Sequence, residues 1–280
     1  MLKILLESAA KIASNLNIKT IALVTKSDVN DVEIEGFDII VAPKRYVTVL
    51  DSLVYYFEES PDRVLAEKFS YMYRIKEYLS TLLYLKGFEF EKAVAVLDTD
   101  SLKGVIVVDP EKSSIWKAIE ECAERVNPEV MKAVLLVSLN IAQKGREGRR
   151  IGTAFVIGDV EEVLKRSSQI ILNPYKGHDE KERDLKNPET WESIMEFAQL
   201  DGVFVVDENG IIVAAGRYIE TTSARDLNVK IKLGLGGRHI ACASITKETK
   251  AIAVVVSESG GDITVYKDGV ELLHIPSVLF

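Results

Sequence analysis

The chain has 280 residues, 47% of them hydrophobic and 28% charged, with a formal net charge of −8. That is ordinary globular composition and enough chain for two modest domains. The acid excess argues against nucleic acid as the main partner, because phosphate backbones attract net basic surfaces.

Residues 2–16 place Leu2, Leu5, Leu6, Ala9, Ile12, Ala13 and Leu16 on one face of a predicted helix. An acid at Glu7 comes too early for a signal peptide, and no uninterrupted apolar run approaches a membrane span. The expectation is a cytoplasmic protein with no membrane partner. Thr20–Thr25 and Phe37–Ala42 read as short buried strands. Ser60-Pro61-Asp62 is a helix start, with a Ser cap and Pro at the first helical position. That helix carries Val64, Phe69, Met72, Ile75, Leu79 and Leu82 inward and stops near Gly87. Val94–Asp98 and Gly104–Asp109 read as further strands. Strands alternating with helices predict an α/β unit with a mostly parallel sheet.

A helical stretch from Ser114 to about Ala142, interrupted at Asn127-Pro128, leads into a second unit. Its expected elements are a strand within Gly152–Gly158, a helix at Val160–Arg166 and a strand at Gln169–Leu172. A polar loop over Asn173–Thr190 and a helix over Trp191–Leu200 follow. Phe204–Val206, Asp207-Glu-Asn209-Gly210 and Ile211–Ala214 predict a hairpin with a primed turn at Asn-Gly. Ser259-Gly-Gly-Asp262 and Lys267-Asp-Gly269 are two more turns, after Ala251–Val256 and Ile263–Tyr266. The second unit is therefore expected to be a mixed sheet flanked by helices. The expected domains are 1–126 and 127–280.

Cys122 and Cys242 show no C-x-x-C spacing, so they read as buried apolar groups rather than zinc ligands or a disulfide. Lys144, Arg146, Arg149 and Arg150 form a basic run, which reads as a solvated loop. Asp201 stands at the mouth of a buried strand. Such an Asp is often a turn residue. Gly202 beside it would let a ligand approach the backbone. Gly234-Leu235-Gly236-Gly237-Arg238-His239 reads as a helix start with free amides, where an anion is favoured. Arg238 offers a fork suited to phosphate, and His239 can donate to the same group. The segment fits neither the Walker A pattern nor the dinucleotide fingerprint. Ser257-Glu258-Ser259 ends an apolar strand, as a turn or as a metal and phosphate ligand.

Taken together, these pieces resemble the diadenylate cyclase (DAC) domain, in an archaeal-type member. Asp201-Gly202-Val203 resembles the family's Asp-Gly-Ala motif, and Gly236-Gly237-Arg238-His239-Ile240 its Gly-Thr-Arg-His-Arg motif. Residues 245–259 are similar to the family's segment ending in Ser-Glu-Glu. Residues 148–158 and 173–178 share its texture, and the likeness covers about 127–270. Gly237, Ile240 and Ser259 stand where the family has Thr, the second Arg and the second Glu.

The resemblance implies an ATP-dependent, metal-dependent cyclase making cyclic di-AMP. By the resemblance, Asp201, Arg238 and His239 are catalytic, with Asp201 and Glu258 on a divalent ion, Mn2+ or Mg2+. Gly202, Val203, Gly236, Gly237, Ser257 and Glu258 line the substrate, and Tyr218 and Ile219 meet the adenine. It also implies face-to-face self-association, at least a dimer. The N-terminal unit resembles the α/β domain at the end of pyruvate kinase, with a regulatory or oligomerising role. The alternatives are a catalytically weak nucleotide-binding sensor and a protein-interaction module.

Overall fold

A computed structural model of the chain describes residues 1–27, 29, 32–42, 76–77, 79–81, 83, 92–110, 113–146, 148–220 and 236–277. The helix expected from Ser60 to Gly87 lies outside these residues, apart from a few positions of its end. The chain divides into two compact units between Lys117 and Ala118. Among the described residues, no helix is long and apolar enough to cross a membrane.

The first unit holds helix α1 (Leu2–Leu16) and strands β1 (Thr20–Thr25), β2 (Asp38–Val41), β3 (Ala93–Asp98) and β4 (Lys103–Val108). The four-stranded sheet runs β2-β1-β3-β4. β1 is parallel to β2 and β3, and β4 is antiparallel to β3. Alternation sorts the strand residues onto two faces. Ile21, Leu23, Val94 and Val96 pack with Ala9 and Ala13 of α1. Ala22, Val24, Ala95 and Leu97 pack with Leu79 and Leu83 on the other face. Burial on both faces explains why β1 and β3 read as continuous apolar runs. Leu16, expected inward, is 53% exposed. It sits on the last turn of α1, just before the chain leaves the helix through left-handed Asn17.

Helix α2 (Ser114–Cys122) and helix α3 (Pro128–Lys144) follow. The Asn127 side chain accepts the Glu129 amide, and Pro128 fills the first turn, where no N–H is needed. The second sheet is built from β5 (Thr153–Ile157), β6 (Ser167–Gln169), β7 (Val203–Val206), β8 (Ile212–Ile219), β9 (Ile252–Val256), β10 (Ile263–Lys267) and β11 (Val270–Ile275). Its seven strands run β11-β10-β9-β5-β7-β8-β6. Only β5 and β7 are parallel; the other pairs are antiparallel. Between these strands lie α4 (Val160–Lys165), α5 (Glu180–Arg183), α6 (Trp191–Phe197) and α7 (Gly237–Glu248). Cys242, Ala243 and Ile245 of α7 join Ala154, Val156, Val203, Val205, Ala253 and Val255 in one core. Helix α3 packs on β9 and β10. This is the expected mixed sheet flanked by helices.

Several local expectations need correction. The strand expected at Gln169–Leu172 occurs earlier, as β6, which pairs with β8 from Ser167 to Gln169. Beyond it, Asn173 takes over the pairing with its side chain, donating to Val213 O (2.9 Å) and accepting from Ala215 N (3.3 Å). Leu172 is left 94% exposed. The loop at 173–190 contains α5, closed by a capping box between Asp179 and Glu182, and a short 3₁₀ turn at Pro188–Thr190. Helix α6 ends at Phe197, because Gln199 and Leu200 donate to Glu196 and Phe197, three residues back, and tighten the last turn. The β7–β8 hairpin forms, but with another turn. Gly210 has a positive φ and Asn209 does not. Asp207 Oδ1 accepts the amides of Asn209 (2.9 Å) and Ile211 (2.8 Å), an Asx turn that removes the need for a primed one. The primed geometry occurs instead at Asp268-Gly269, with φ of 54° and 78°.

Candidate functional site

Strand directions bring the motifs to one edge of the second sheet. β5 and β7 are parallel, with Phe155 opposite Phe204, so Gly152 and the Asp201-Gly202 step enter from the same side. β9 is antiparallel to β5, with Val256 opposite Thr153, so Ser257 and Glu258 leave at that edge. β8 is antiparallel to β7, with Arg217 opposite Val203, which brings Tyr218 and Ile219 there too. Helix α7 begins above the same edge, capped by Gly236 with no side-chain cap. Its first amides are therefore open to an anion.

Two adjoining clefts result. One, of about 530 Å³, is lined by Asp201, Gly202, Val203, Tyr218, Ile219, Gly237, Arg238 and Glu258, with Arg217, Ile240 and Ala241. The other, of about 710 Å³, is lined by Gly236, Gly237, Arg238, His239, Ser257 and Glu258, with Arg149, Arg150, Val256 and Ser259. Gly237, Arg238 and Glu258 belong to both. Each residue proposed as catalytic, substrate-binding or metal-binding thus borders one cleft or the other, while Gly234 and Leu235 of the glycine-rich segment lie outside the described residues.

The first cleft is apolar on one side and polar on the other. Val203, Ile219, Ile240 and Ala241 offer the apolar wall. Tyr218 is half exposed beside it. Arg217 is held in place by neutral acceptors, which do not cancel its charge. Its guanidinium donates to Ser167 Oγ (2.8 Å), to Leu164 O (3.1 Å) and to the Ser167 carbonyl, and burial lowers its pKa.

The Asp201 carboxylate is 91% exposed. It accepts the Gly202 amide at 3.0 Å and faces Arg238 Nη2 at 3.4 Å. Arg238 Nη1 lies 3.6 Å from Glu258 Oε2. One guanidinium therefore stands between two open carboxylates. Among the described residues, no three His, Cys, Asp or Glu side chains form a closed metal cluster. A divalent ion of the magnesium type is commonly held by one or two carboxylates together with substrate phosphates. Asp201 and Glu258, both exposed and both hard oxygen donors, fit that arrangement.

His239 is buried, with 4% exposure. Its Nδ1 lies 3.0 Å from the Tyr266 hydroxyl, and its Nε2 is buried without a hydrogen-bond partner. Burial first, and then nearby His274, push its pKa below the usual histidine value. The ring is accordingly neutral near pH 7 and brings a dipole rather than a charge. The cationic wall of the second cleft belongs to Arg149, Arg150 and Arg238.

Gly202 has a structural cause of its own. Its φ is +107°, and a Cβ there would stand 2.5 Å from Arg217 O on β8. The close approach is made by the protein's own backbone. Gly202→Ala is expected to destabilise the chain by roughly 2 kcal/mol or more. Urea unfolding measures this, and an unchanged midpoint would mean that the β7–β8 register is not as described. Gly152 is crowded in the same way, since a Cβ would meet Glu258 Cβ at 2.7 Å and Arg238 Nη1 at 3.0 Å.

Both units are similar to known proteins. Residues 140–270 match the DAC family model, described as "DisA bacterial checkpoint controller nucleotide-binding". Residues 4–111 match a model described as "Probable sensor domain DacZ_A". A diadenylate cyclase of Methanocaldococcus jannaschii is 38% identical over 170 residues, covering 61% of this chain and 53% of that protein. A diadenylate cyclase of Haloferax volcanii is 35% identical over 179 residues, covering 64% of this chain and 63% of that protein. The matched part therefore spans less than two thirds of either relative's length. Among solved structures, DacA from Staphylococcus aureus superposes with a TM-score of 0.35 at 23% identity, over 54% of this chain and 88% of its own. A hypothetical membrane spanning protein from Bacillus cereus gives 0.39 at 16% identity, over 82% of this chain and 88% of its own. Over residues 140–270, the second unit is thus similar to the DAC family of nucleotide-binding domains.

Proposed function

We propose that the chain is a diadenylate cyclase, condensing two ATP into cyclic di-AMP and two pyrophosphates. The observation that carries this reading is the meeting of an apolar-walled cleft and a cationic cleft at Arg238, with Asp201 and Glu258 on either side of it. The first cleft suits a purine and its ribose, and the second suits a polyphosphate. The backbone at Ile219, with Tyr218 beside it, reads the adenine edge.

The chemistry is positioning and charge neutralisation. A ribose 3′-oxygen bonds to the α-phosphorus of a second ATP as the bond from that phosphorus to the β-bridging oxygen breaks. Pyrophosphate leaves, and the hydroxyl proton passes to the Asp201 carboxylate. Arg238 and the first amides of α7 hold the phosphates in line. His239 stiffens that helix end through Tyr266 and presents a neutral ring to the same group. Ser257 and Glu258 close the cleft from the β9 end. Asp201 and Glu258 would hold Mn2+ or Mg2+, which when bound neutralises charge on the phosphates. The catalytic domain spans 127–280, and the domain at 1–126 has a regulatory or oligomerising role.

Incubation of the full chain with ATP and Mn2+ or Mg2+, with products identified by mass, tests the reading. Cyclic di-AMP is the expected product. Folded protein that yields only ADP, or nothing, with either metal overturns it. GTP is expected to be cyclised at least about a hundredfold less efficiently, because a pocket that bonds one base edge leaves groups unpaired against another. Comparable rates for the two nucleotides would remove adenine recognition from Tyr218 and Ile219.

A further inference from the structure

The second cleft contains two cations besides Arg238. Arg149 and Arg150 come from the turn between α3 and β5 and line the cleft opposite the start of α7. The turn is tightly specified. Gly145 has φ +55°, and a Cβ there would stand 2.0 Å from Arg149 O. Arg146 and Arg149 exchange backbone hydrogen bonds at 2.9 and 2.8 Å. Arg146 is tied back to α6, with Nη1 2.9 Å from Glu192 Oε1 and Nη2 bonded to Glu196. Of the arginines in this run, Arg146 is thus neutralised and serves as the anchor.

Arg149 and Arg150 are not neutralised. Arg150 donates to the Ser259 carbonyl at 3.1 Å, which places its guanidinium at the cleft without cancelling its charge. Arg149 meets no carboxylate among the described residues. Together with Arg238, the cleft carries three guanidinium groups against one carboxylate, Glu258. Among the described residues, nothing stands within 4 Å of where a Cβ would be at Gly236 or Gly237. Ile240, which stands in the motif where a second arginine is expected, faces the other cleft, beside Val203 and Ile219. It is therefore part of the apolar wall.

We propose that Arg149 and Arg150 bind the β- and γ-phosphates of ATP, the part that leaves as pyrophosphate. The inference rests on the cyclase reading and deepens it. Guanidinium forks match phosphate oxygens in pairs. The role is specific to the leaving group. AMP and the cyclic product carry no β- or γ-phosphate and do not reach these residues.

The test is calorimetric binding of ATP and AMP to the full chain in EDTA, comparing the unmodified protein with Arg149→Ala/Arg150→Ala. ATP affinity is expected to fall at least about tenfold, since hydrogen bonds to charged groups are among the stronger ones. AMP affinity is expected to hold within about twofold, which also reports that the variant is folded. In turnover, inhibition by pyrophosphate weakens while inhibition by cyclic di-AMP does not. Arg149→Lys/Arg150→Lys keeps the charge without the fork and should lie between the two proteins. If the alanine variant is unstable, the lysine variant still decides. Equal losses for ATP and AMP, or no loss for either, overturn the proposal while leaving the cyclase reading intact. An unmodified protein that binds neither nucleotide, in EDTA or with Mg2+, overturns the cyclase reading itself.

Discussion

Asp201→Asn is expected to reduce turnover by a factor on the order of 10³, the scale at which removing a positioned acid–base group acts. The fold should barely respond. The Asp201 side chain is 91% exposed and belongs to no core cluster. Its bond to the Gly202 amide uses Oδ1, and an Asn oxygen can accept the same bond. Its pairing with Arg238 is solvent-exposed, and such pairs contribute little to stability. The thermal midpoint and the urea midpoint should therefore stay close to those of the parent, within about 0.5 kcal/mol. Both measurements are needed on one preparation, with turnover read at saturating ATP and divalent ion. An Asn variant that cyclises ATP normally would move the proton-accepting role to another group. An unfolded variant would return Asp201 to the plain turn residue that its position also permits.

Much of the architecture was legible because burial on both faces leaves a simple trace. β1, β3, β5 and β9 are short apolar runs, and each is a buried strand. The Asn127-Pro128 interruption marked the start of α3 because proline is tolerated only in the first turn. Side chains that replace backbone pairing left no such trace. Asn173 extends the edge of β8 with its amide group, and a polar residue in a polar segment looks like any loop residue. Asp207 chose the hairpin turn in the same way, against the stronger Asn-Gly signal.

The candidate site was legible where a motif carried its own chemistry, as at Asp201 and Arg238. Arg149 and Arg150 were not. A basic run gives no sign of which cation is anchored, and here Arg146 finds Glu192 and Glu196 on a helix some forty to fifty residues away. The missing signal is topological. Arg149 and Arg150 lie just before β5, and only the parallel pairing of β5 with β7 puts that end of the strand beside Asp201. Gly202 shows the opposite error. Its glycine suggested room for a ligand, whereas the crowding comes from Arg217 on the neighbouring strand.

Specific activity is expected to rise with protein concentration, because the described residues of each chain offer one set of these clefts. On the proposed reading, one first cleft and one second cleft meeting at Arg238 hold a single ATP. A ring of two nucleotides needs two 3′-hydroxyls and two α-phosphates. Neither bond can form until a second site faces the first, with each hydroxyl near the opposite phosphorus. Two copies of one surface do this most simply through an isologous contact, in which the same residues serve both sides. The acid excess of the chain works against close approach of two copies. Bound metal and the basic lining of the second cleft offset that locally, so ATP and the divalent ion should favour the pair. Dilution through the dissociation constant of the pair should lower activity per chain roughly in proportion to concentration, by mass action. Light scattering on the same fractions should show the active species as a dimer or larger, and association through the N-terminal domain would build a larger symmetric assembly. A strictly monomeric species with full activity per chain at high dilution would contradict the two-site mechanism and would require both nucleotides to bind within one chain.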